Sequence, residues 1–408
     1  MSETNGEAPV MTPGKRRSIS ILVLAEILAM SVWFTSSAVL GDMNQEVQID
    51  PWRQALLASG VQLGFAAGAL GYAIFGLADK YDPRHVFAMS GLIAALANLG
   101  LIFAPIGSLF AISLRLLTGI FLAGVYPVGM KIAVSWGQQD RGLLVGLLVG
   151  ALTLGSAAPH LLAFFGGADW RAAVCFASLF ALIGAGLVLF SALGPFYSRA
   201  THFSAKTLKM AWQHPSMRRV FIGYLGHMWE LYAFWAWIGI ALGAAFSVQD
   251  PGSTHQDMAK LIAFGAVAIG AIACVIAGHF ADRIGKAKIT ILAMSGSAIS
   301  ALLAALVFSG PPALLIIVVL FWGATIIADS AQFSALIADI APAQHVGSLM
   351  TLQTALGFGL TVVTVQLTPW LAEMAGWPAV FIVLAIGPLI GIVAMRSLLG
   401  AGVHTQEI

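Results

Sequence analysis

The stretch Gly223–Gly243, GYLGHMWELYAFWAWIGIALG, is apolar enough to cross a bilayer and yet carries His227 and Glu230. A carboxylate at the centre of a spanning helix costs at least a few kcal/mol on lenient insertion scales, so such residues face a cavity or a partner and usually serve function. Its counterpart lies half a chain earlier. Glu26 precedes Glu230 by 204 residues, Trp33 precedes Trp237 by the same interval, and 204 is half of 408. The two halves read as copies of one membrane module.

The composition agrees. With 59% hydrophobic residues, 9% charged residues and 44 glycines, the chain lacks the balance of a soluble protein. A formal charge of +2 with the cations in short clusters gives no footprint for nucleic acid. Cys175 and Cys274 lie inside apolar runs, so neither a disulfide framework nor a thiolate metal site is expected. No HExxH, GxSxG or Walker loop occurs, which points away from an enzyme and from any bound cofactor. The His-Met spacings at His85/Met89 and His255/Met258 do not make a soft-metal path.

A requirement of about 20 apolar residues per crossing predicts twelve spans: 18–40, 54–77, 86–104, 109–135, 143–165, 171–194, 220–243, 259–280, 289–309, 313–337, 348–371 and 378–399. The expected fold is an all-α membrane protein of two pseudo-symmetric six-helix bundles, 18–194 and 220–399. A polar linker, 195–219, joins them, and tails at 1–17 and 400–408 flank them. The first apolar run is longer than a signal-peptide core and reads as a retained helix. With the N-terminus inside, fifteen Lys and Arg fall on the cytoplasmic side against Arg53, Arg171 and Lys260 outside, so both termini are expected in the cytoplasm. The linker mixes bases with Phe203, Leu208 and Trp212, which suits either a helix on the anionic leaflet or a solvated tether. No Asn-x-Ser/Thr acceptor is present, which fits a bacterial inner membrane.

Between spans eight and nine the chain reads Gly278-His-Phe-Ala-Asp282-Arg283-Ile-Gly285-Lys286, and between spans two and three Phe75-Gly-Leu-Ala-Asp79-Lys80-Tyr-Asp82-Pro-Arg84. A carboxylate at a helix end that meets bases and helix N-termini forms a latch that one conformation can break. GxxxDRxGK resembles the signature of the major facilitator superfamily. The first copy departs from it, with Phe75 and Asp82 in place of the two glycines. In span four, Arg115-Leu-Leu-Thr-Gly119-Ile-Phe-Leu-Ala-Gly124 resembles that family's RxxxGxxxxG pattern, and Gly323 again lies 204 residues beyond Gly119. Glycines at this spacing let helices approach closely. Span five lacks the Gly-Pro pair of the drug-antiporter members, and the span-seven sequence looks like that of bacterial members grouped near nitrate and nitrite carriers.

The resemblance implies a central cavity lined mainly by spans one, four, seven and ten. The residues then expected to meet solute are Trp33, Arg115, Tyr126, His227, Phe234, Trp237, Asp329 and Gln332; Glu26, Glu230 and Asp329 are expected to carry protons. Asp79, Lys80, Arg84, Asp282, Arg283 and Lys286 are the gating candidates. Each has a structural alternative: acids hydrogen-bonded between helices, an arginine paired with one of them, a packed histidine. His227 stands three residues before Glu230, at the spacing of a hydrogen-bonded pair. Lys131 is about 160° from Arg115 around the helix and belongs to another contact.

These readings imply a monomeric secondary transporter in the lipid bilayer that couples a small solute to protons by alternating access. The solute is read as a small anion, because Arg115 is the fixed charge predicted on the cavity face. Three acids and many aromatics keep a proton antiporter of a cationic or zwitterionic solute open. A non-transporting sensor or assembly partner would need an output surface that the short loops do not offer.

Overall fold

The computed structural model describes residues 13–137, 140–166, 169–197, 211–249, 255–342 and 345–399, and all statements below concern these. The tail before Pro13, linker residues 198–210 and the tail beyond 399 lie outside them, as does the side chain of Asp282.

Span one is Pro13–Met30 followed by Thr35–Glu46, span two Pro51–Phe75, and span three Pro83–Leu99 with a 3₁₀ turn at Gly100–Phe103. Span four is Leu109–Leu122 and Tyr126–Val134, span five Arg141–Gly166, and span six Trp170–Leu187. The second half has span seven at Pro215–Gln249, span eight at Gln256–Ile284, span nine at Lys286–Val307, and span ten at Pro312–Ile326 and Ser330–Ile340. One helical run, Val346–Arg396, holds the last two spans. Gly376, at φ 81°, turns the chain inside that run, and dividing there yields the twelve crossings expected. The first and seventh helices start at Pro13 and Pro215, earlier than the apolar runs alone suggested, because charged residues are tolerated in an end turn near the membrane surface. Pro51, Pro83 and Pro312 also sit in first turns, where the missing N–H has no helical partner to lose.

Spans one to six pack into one bundle and seven to twelve into a second, with repeated pairings: two on four as eight on ten, and three on six as nine on the last run. The bundles meet along two seams, span five against eight and span two against eleven. Gly119 sits where span four touches span two, and a Cβ added there would run into the Val61 carbonyl oxygen. Gly323 does the same on span ten, against the Ala266 carbonyl of span eight. The 204-residue interval therefore corresponds to two equivalent helix crossings.

The two signature turns differ in backbone. In the second half Gly285, at φ 97°, makes the turn into span nine. In the first half the left-handed residue is Gly76 (φ 61°), placed before the short helix Leu77–Lys80. Asp82, standing where the signature has its second glycine, instead caps span three: its Oδ1 accepts from the Arg84 backbone N at 2.9 Å.

Candidate functional site

Three of the four helices expected around the cavity are interrupted at mid-depth. Span one opens at Ser31–Phe34, span four between Leu122 and Tyr126, and span ten between Ile326 and Ser330; span seven runs through without a break. Backbone carbonyls freed inside a membrane need donors. Arg115 supplies them for span one. Its Nη2 donates to the Val32 carbonyl at 3.0 Å and to that of Trp33, while Nη1 donates to Asn98 Oδ1 at 2.7 Å. Asn98 is held in turn by Ser178 at 2.9 Å. The expectation that Arg115 presents its charge to the cavity is corrected: the guanidinium is fully buried behind span one, and makes no ion pair among the described residues.

The acids are buried, each inside its own bundle. Glu26 lies against Gly129 of span four, so close that no Cβ would fit there, and neither of its oxygens has a hydrogen-bond partner among the described residues. Glu230 accepts from Ser297 Oγ of span nine at 2.6 Å and from Trp322 Nε1 of span ten at 3.3 Å. The expected His227–Glu230 pair does not form. His227 reaches across to the break in span ten, with Nδ1 2.8 Å from Asp329 Oδ1 in an off-axis contact; both side chains are at most 2% exposed. Glu230 is within electrostatic range of Asp329, as is Cys274 of span eight. Tyr126, half-buried beyond the break in span four, is within electrostatic range of Glu26 and of Tyr224 on span seven.

Rings close the seam between the bundles at the level of the span-one break. Trp33, Phe34 and Phe65 come from the first bundle; Tyr232, Trp235 and Phe358 come from the second. Trp33 packs on Tyr232 at 5.7 Å and on Phe358 at 5.6 Å, Phe34 on Trp235 at 5.8 Å, and Phe65 on Phe358 at 4.4 Å between centroids. Trp33 thus stands at the seam. Trp237 does not: its Nε1 donates to the Val365 carbonyl at 3.0 Å, tying span seven to span eleven within the second bundle. Phe234 packs at 4.7 Å in a tilted contact on Trp322, beside Glu230 and inside that bundle. Gln332 is buried in the lower part of span ten. Sequence reasoning missed Tyr232 and Trp235 because it oriented span seven by Glu230, whereas these two lie roughly 200° and 140° around the helix from it. The cluster of large rings on that second face was the available signal.

Polar contacts across the seam are uneven. On the side of the membrane away from the termini, Lys260 of span eight meets Asp42 of span one at 2.9 Å, Gln366 donates to Ser59 Oγ at 2.7 Å, and His160 of span five bonds the backbone of Trp235. Thr153 and Cys274 share a hydrogen bond near mid-depth. On the side that holds the termini, three ion pairs among the described residues lie within a bundle. Asp79 pairs with Lys131 of span four, Arg84 with Asp82 at 2.6 Å, and Lys286 with Asp339 of span ten at 2.5 Å. Lys131 is the missing partner of the first signature turn, and Asp339 that of the second. Lys80 and Arg283 are exposed. The Arg84 guanidinium holds the Asp82 carboxyl below the usual range for an aspartate.

Comparison with known proteins agrees with this architecture. The Major Facilitator Superfamily profile matches residues 22–328 and 220–406. An uncharacterized 38 kDa protein in the 23S RNA operon of Thermoproteus tenax is 29% identical over 270 residues, 60% of this chain; the match spans 63% of that relative's length, just under two thirds. Among solved structures the chain is similar to the nucleoside transporter NupG (TM-score 0.70, 15% identity, 93% of this chain and 99% of that one). It is similar also to a D-xylose-proton symporter (0.73, 14%, 96% and 99%). A third likeness is to the xylose transporter XylE from E. coli in a partially occluded inward-open conformation (0.71, 15%, 97% and 100%). At such identities the likeness is one of fold. With two six-helix bundles, paired signature turns and a profile match running nearly end to end, this chain belongs to the major facilitator superfamily.

Proposed function

We propose that the protein is a proton-coupled secondary transporter that moves a small solute through the seam between its bundles by alternating access, with a preference for a small organic or inorganic anion. The observation that carries the coupling is the set of intramembrane acids. Glu26 has no partner for either oxygen among the described residues, His227 and Asp329 form a buried pair at the break in span ten, and Glu230 is buried within electrostatic range of Asp329. The bilayer penalises a bare carboxylate, so these side chains suit proton uptake when the site closes and release when it meets water. The anion preference rests on Arg115, a buried cation without an ion-pair partner among the described residues, directly behind the seam. The same acids and the ring cluster favour a second reading, proton exchange for a cationic or zwitterionic solute.

The distribution of Lys and Arg supports an orientation with both termini on the cytoplasmic side of a bacterial inner membrane. The protein would act there as a monomer, with 18–194 and 220–399 as its moving halves and 195–219 as their connection. The test is counterflow in liposomes made with the purified protein, against panels of carboxylates, inorganic anions and amines, with a pH-sensitive dye reporting proton movement. Anion exchange with proton flux that is lost in Glu230→Gln is the expected result. Exchange of amines alone would replace the anion reading by the second one, and proton flux unchanged in Glu230→Gln would remove that residue from the coupling.

A further inference from the structure

The ring cluster at the seam holds more than apolar surface. Trp33 and Trp235 are each 1% exposed, and the indole Nε1 of each has no hydrogen-bond partner among the described residues. Other buried indoles do find acceptors: Trp237 donates to Val365 and Trp322 to Glu230, as does the half-buried Trp229 to Val383. Buried donors are normally paired, and an orphan at a functional seam calls for an explanation. Both orphans pack on one ring, Tyr232, at centroid distances of 5.7 and 5.4 Å. Trp33 is carried by the first bundle and Trp235 by the second, and both belong to the ring cluster at the surface that parts during alternating access.

The chemistry of that surface is one-sided. An indole N–H donates only and cannot accept. Behind Trp33, the guanidinium of Arg115 holds the carbonyl of that same residue and brings to its back a cation without an ion-pair partner among the described residues. Glu230 and Asp329 are turned into the second bundle by Ser297, Trp322 and His227, and Glu26 lies inside the first against Gly129. The donors left unpaired at this level among the described residues are the two indole N–H groups, set among ring faces. A carboxylate satisfies them; an ammonium group can rest on a ring face but, donating only, leaves both indoles unpaired.

Resting on the transporter reading above, we infer that Trp33 and Trp235 are the solute-recognition pair, one from each bundle, and that the solute is a small carboxylate with a flat apolar body. The carboxylate accepts from both indoles in front of Arg115, and the body slides between the rings of Trp33 and Tyr232, whose centroids lie 5.7 Å apart.

The test uses the purified full chain, with radiolabelled benzoate as probe and benzylamine and nitrate as competitors. Wild-type protein is expected to bind benzoate, and benzylamine is not expected to displace it. Trp33→Phe and Trp235→Phe keep a ring and remove the N–H, so each is expected to weaken benzoate binding by roughly tenfold or more, as for a lost hydrogen bond to a charged group. The control Trp370→Phe, at a ring 55% exposed on the outer face, is expected to bind as wild type. Benzoate affinity within about twofold of wild type in both seam variants would overturn the assignment of the pair. Displacement by benzylamine, or binding of nitrate without benzoate, would overturn the solute class; neither outcome depends on a variant that folds. Absence of exchange of every solute in liposomes would instead remove the transporter reading, so the two failures are separate.

Discussion

Asp42 and Lys260, 218 residues apart in sequence, meet at 2.9 Å across the seam, with both side chains no more than 10% exposed. The contact joins the far end of span one to the start of span eight, and Asp257 adds a second acid 3.7 Å from the same ammonium. Breaking a buried pair leaves a charge unpaired and costs roughly 3 kcal/mol. We predict that Lys260→Met favours opening at this end. The measure is maleimide labelling of Ser59→Cys, in a background with Cys175→Ala and Cys274→Ala, which should rise at least tenfold. Replacing Asp42 by Asn in the same molecule should bring labelling back toward the starting rate, since no charge is then stranded. Labelling unchanged by Lys260→Met would show that the pair does not hold this end closed.

The second prediction concerns coupling. Asp329 sits at the break of span ten with His227 at 2.8 Å, within electrostatic range of Glu230 and Cys274 on neighbouring helices. Asn at this position keeps the shape and removes the titratable group. Accumulation of solute driven by a pH gradient should fall at least tenfold in Asp329→Asn, while counterflow without a gradient stays within about threefold. Equal loss of both activities would mean that the residue holds the break in shape and carries no proton.

A third prediction tests the duplicated crossings. A Cβ at Gly119 or Gly323 would strike a backbone carbonyl of the facing helix, which cannot move aside as a side chain can. Overpacking of this kind costs roughly 1–3 kcal/mol, so Gly119→Ala and Gly323→Ala should each lower the melting temperature by several degrees. Gly359→Ala, where nothing lies within 4 Å, should not. A melting temperature unchanged in both crossing variants would contradict the packing described.

The fourth prediction follows from the displaced turn. Asp82 caps span three and pairs with Arg84, and that guanidinium keeps its carboxyl below the ordinary range. Loss of such a cap costs roughly 1 kcal/mol, so Asp82→Ala should melt slightly earlier near neutral pH. Because the folded-state value is the lowered one, the contribution is complete above the unfolded value of about 3.9 and disappears as the pH falls through the folded value. The gap between variant and wild type should therefore be constant from about pH 7 to pH 5 and close only at more acid pH. A gap that closes near neutrality would assign the effect to another group.

Much of this architecture was legible in the residues themselves, because bilayer thickness sets the length of an apolar run and a fixed interval exposes a duplication. The glycine crossings were legible for the same reason: Gly119 and Gly323 recur in step. What the residues could not provide was rotational phase. A helical wheel shows which side chains share a face but not which neighbour that face meets, so Glu230 was aimed at the seam and Trp235 was not. Arg115 was misread on related grounds. Charge suggests a binding group, whereas its role here depends on carbonyls freed by an opening in span one that no breaker residue announces between Ser31 and Phe34. Lys131 found its partner only when the chain was folded, since Asp79 lies 52 positions away.

The lopsided seam has a kinetic consequence. Among the described residues an ion pair and two hydrogen bonds cross the seam on the side of the membrane away from the termini, and opening that side means giving them up. Gradients still decide where the solute ends up, since a carrier cannot alter an equilibrium. Turnover, however, is expected to be unequal in the two directions, with the slow stroke being the return of the unloaded molecule toward the side that those contacts guard.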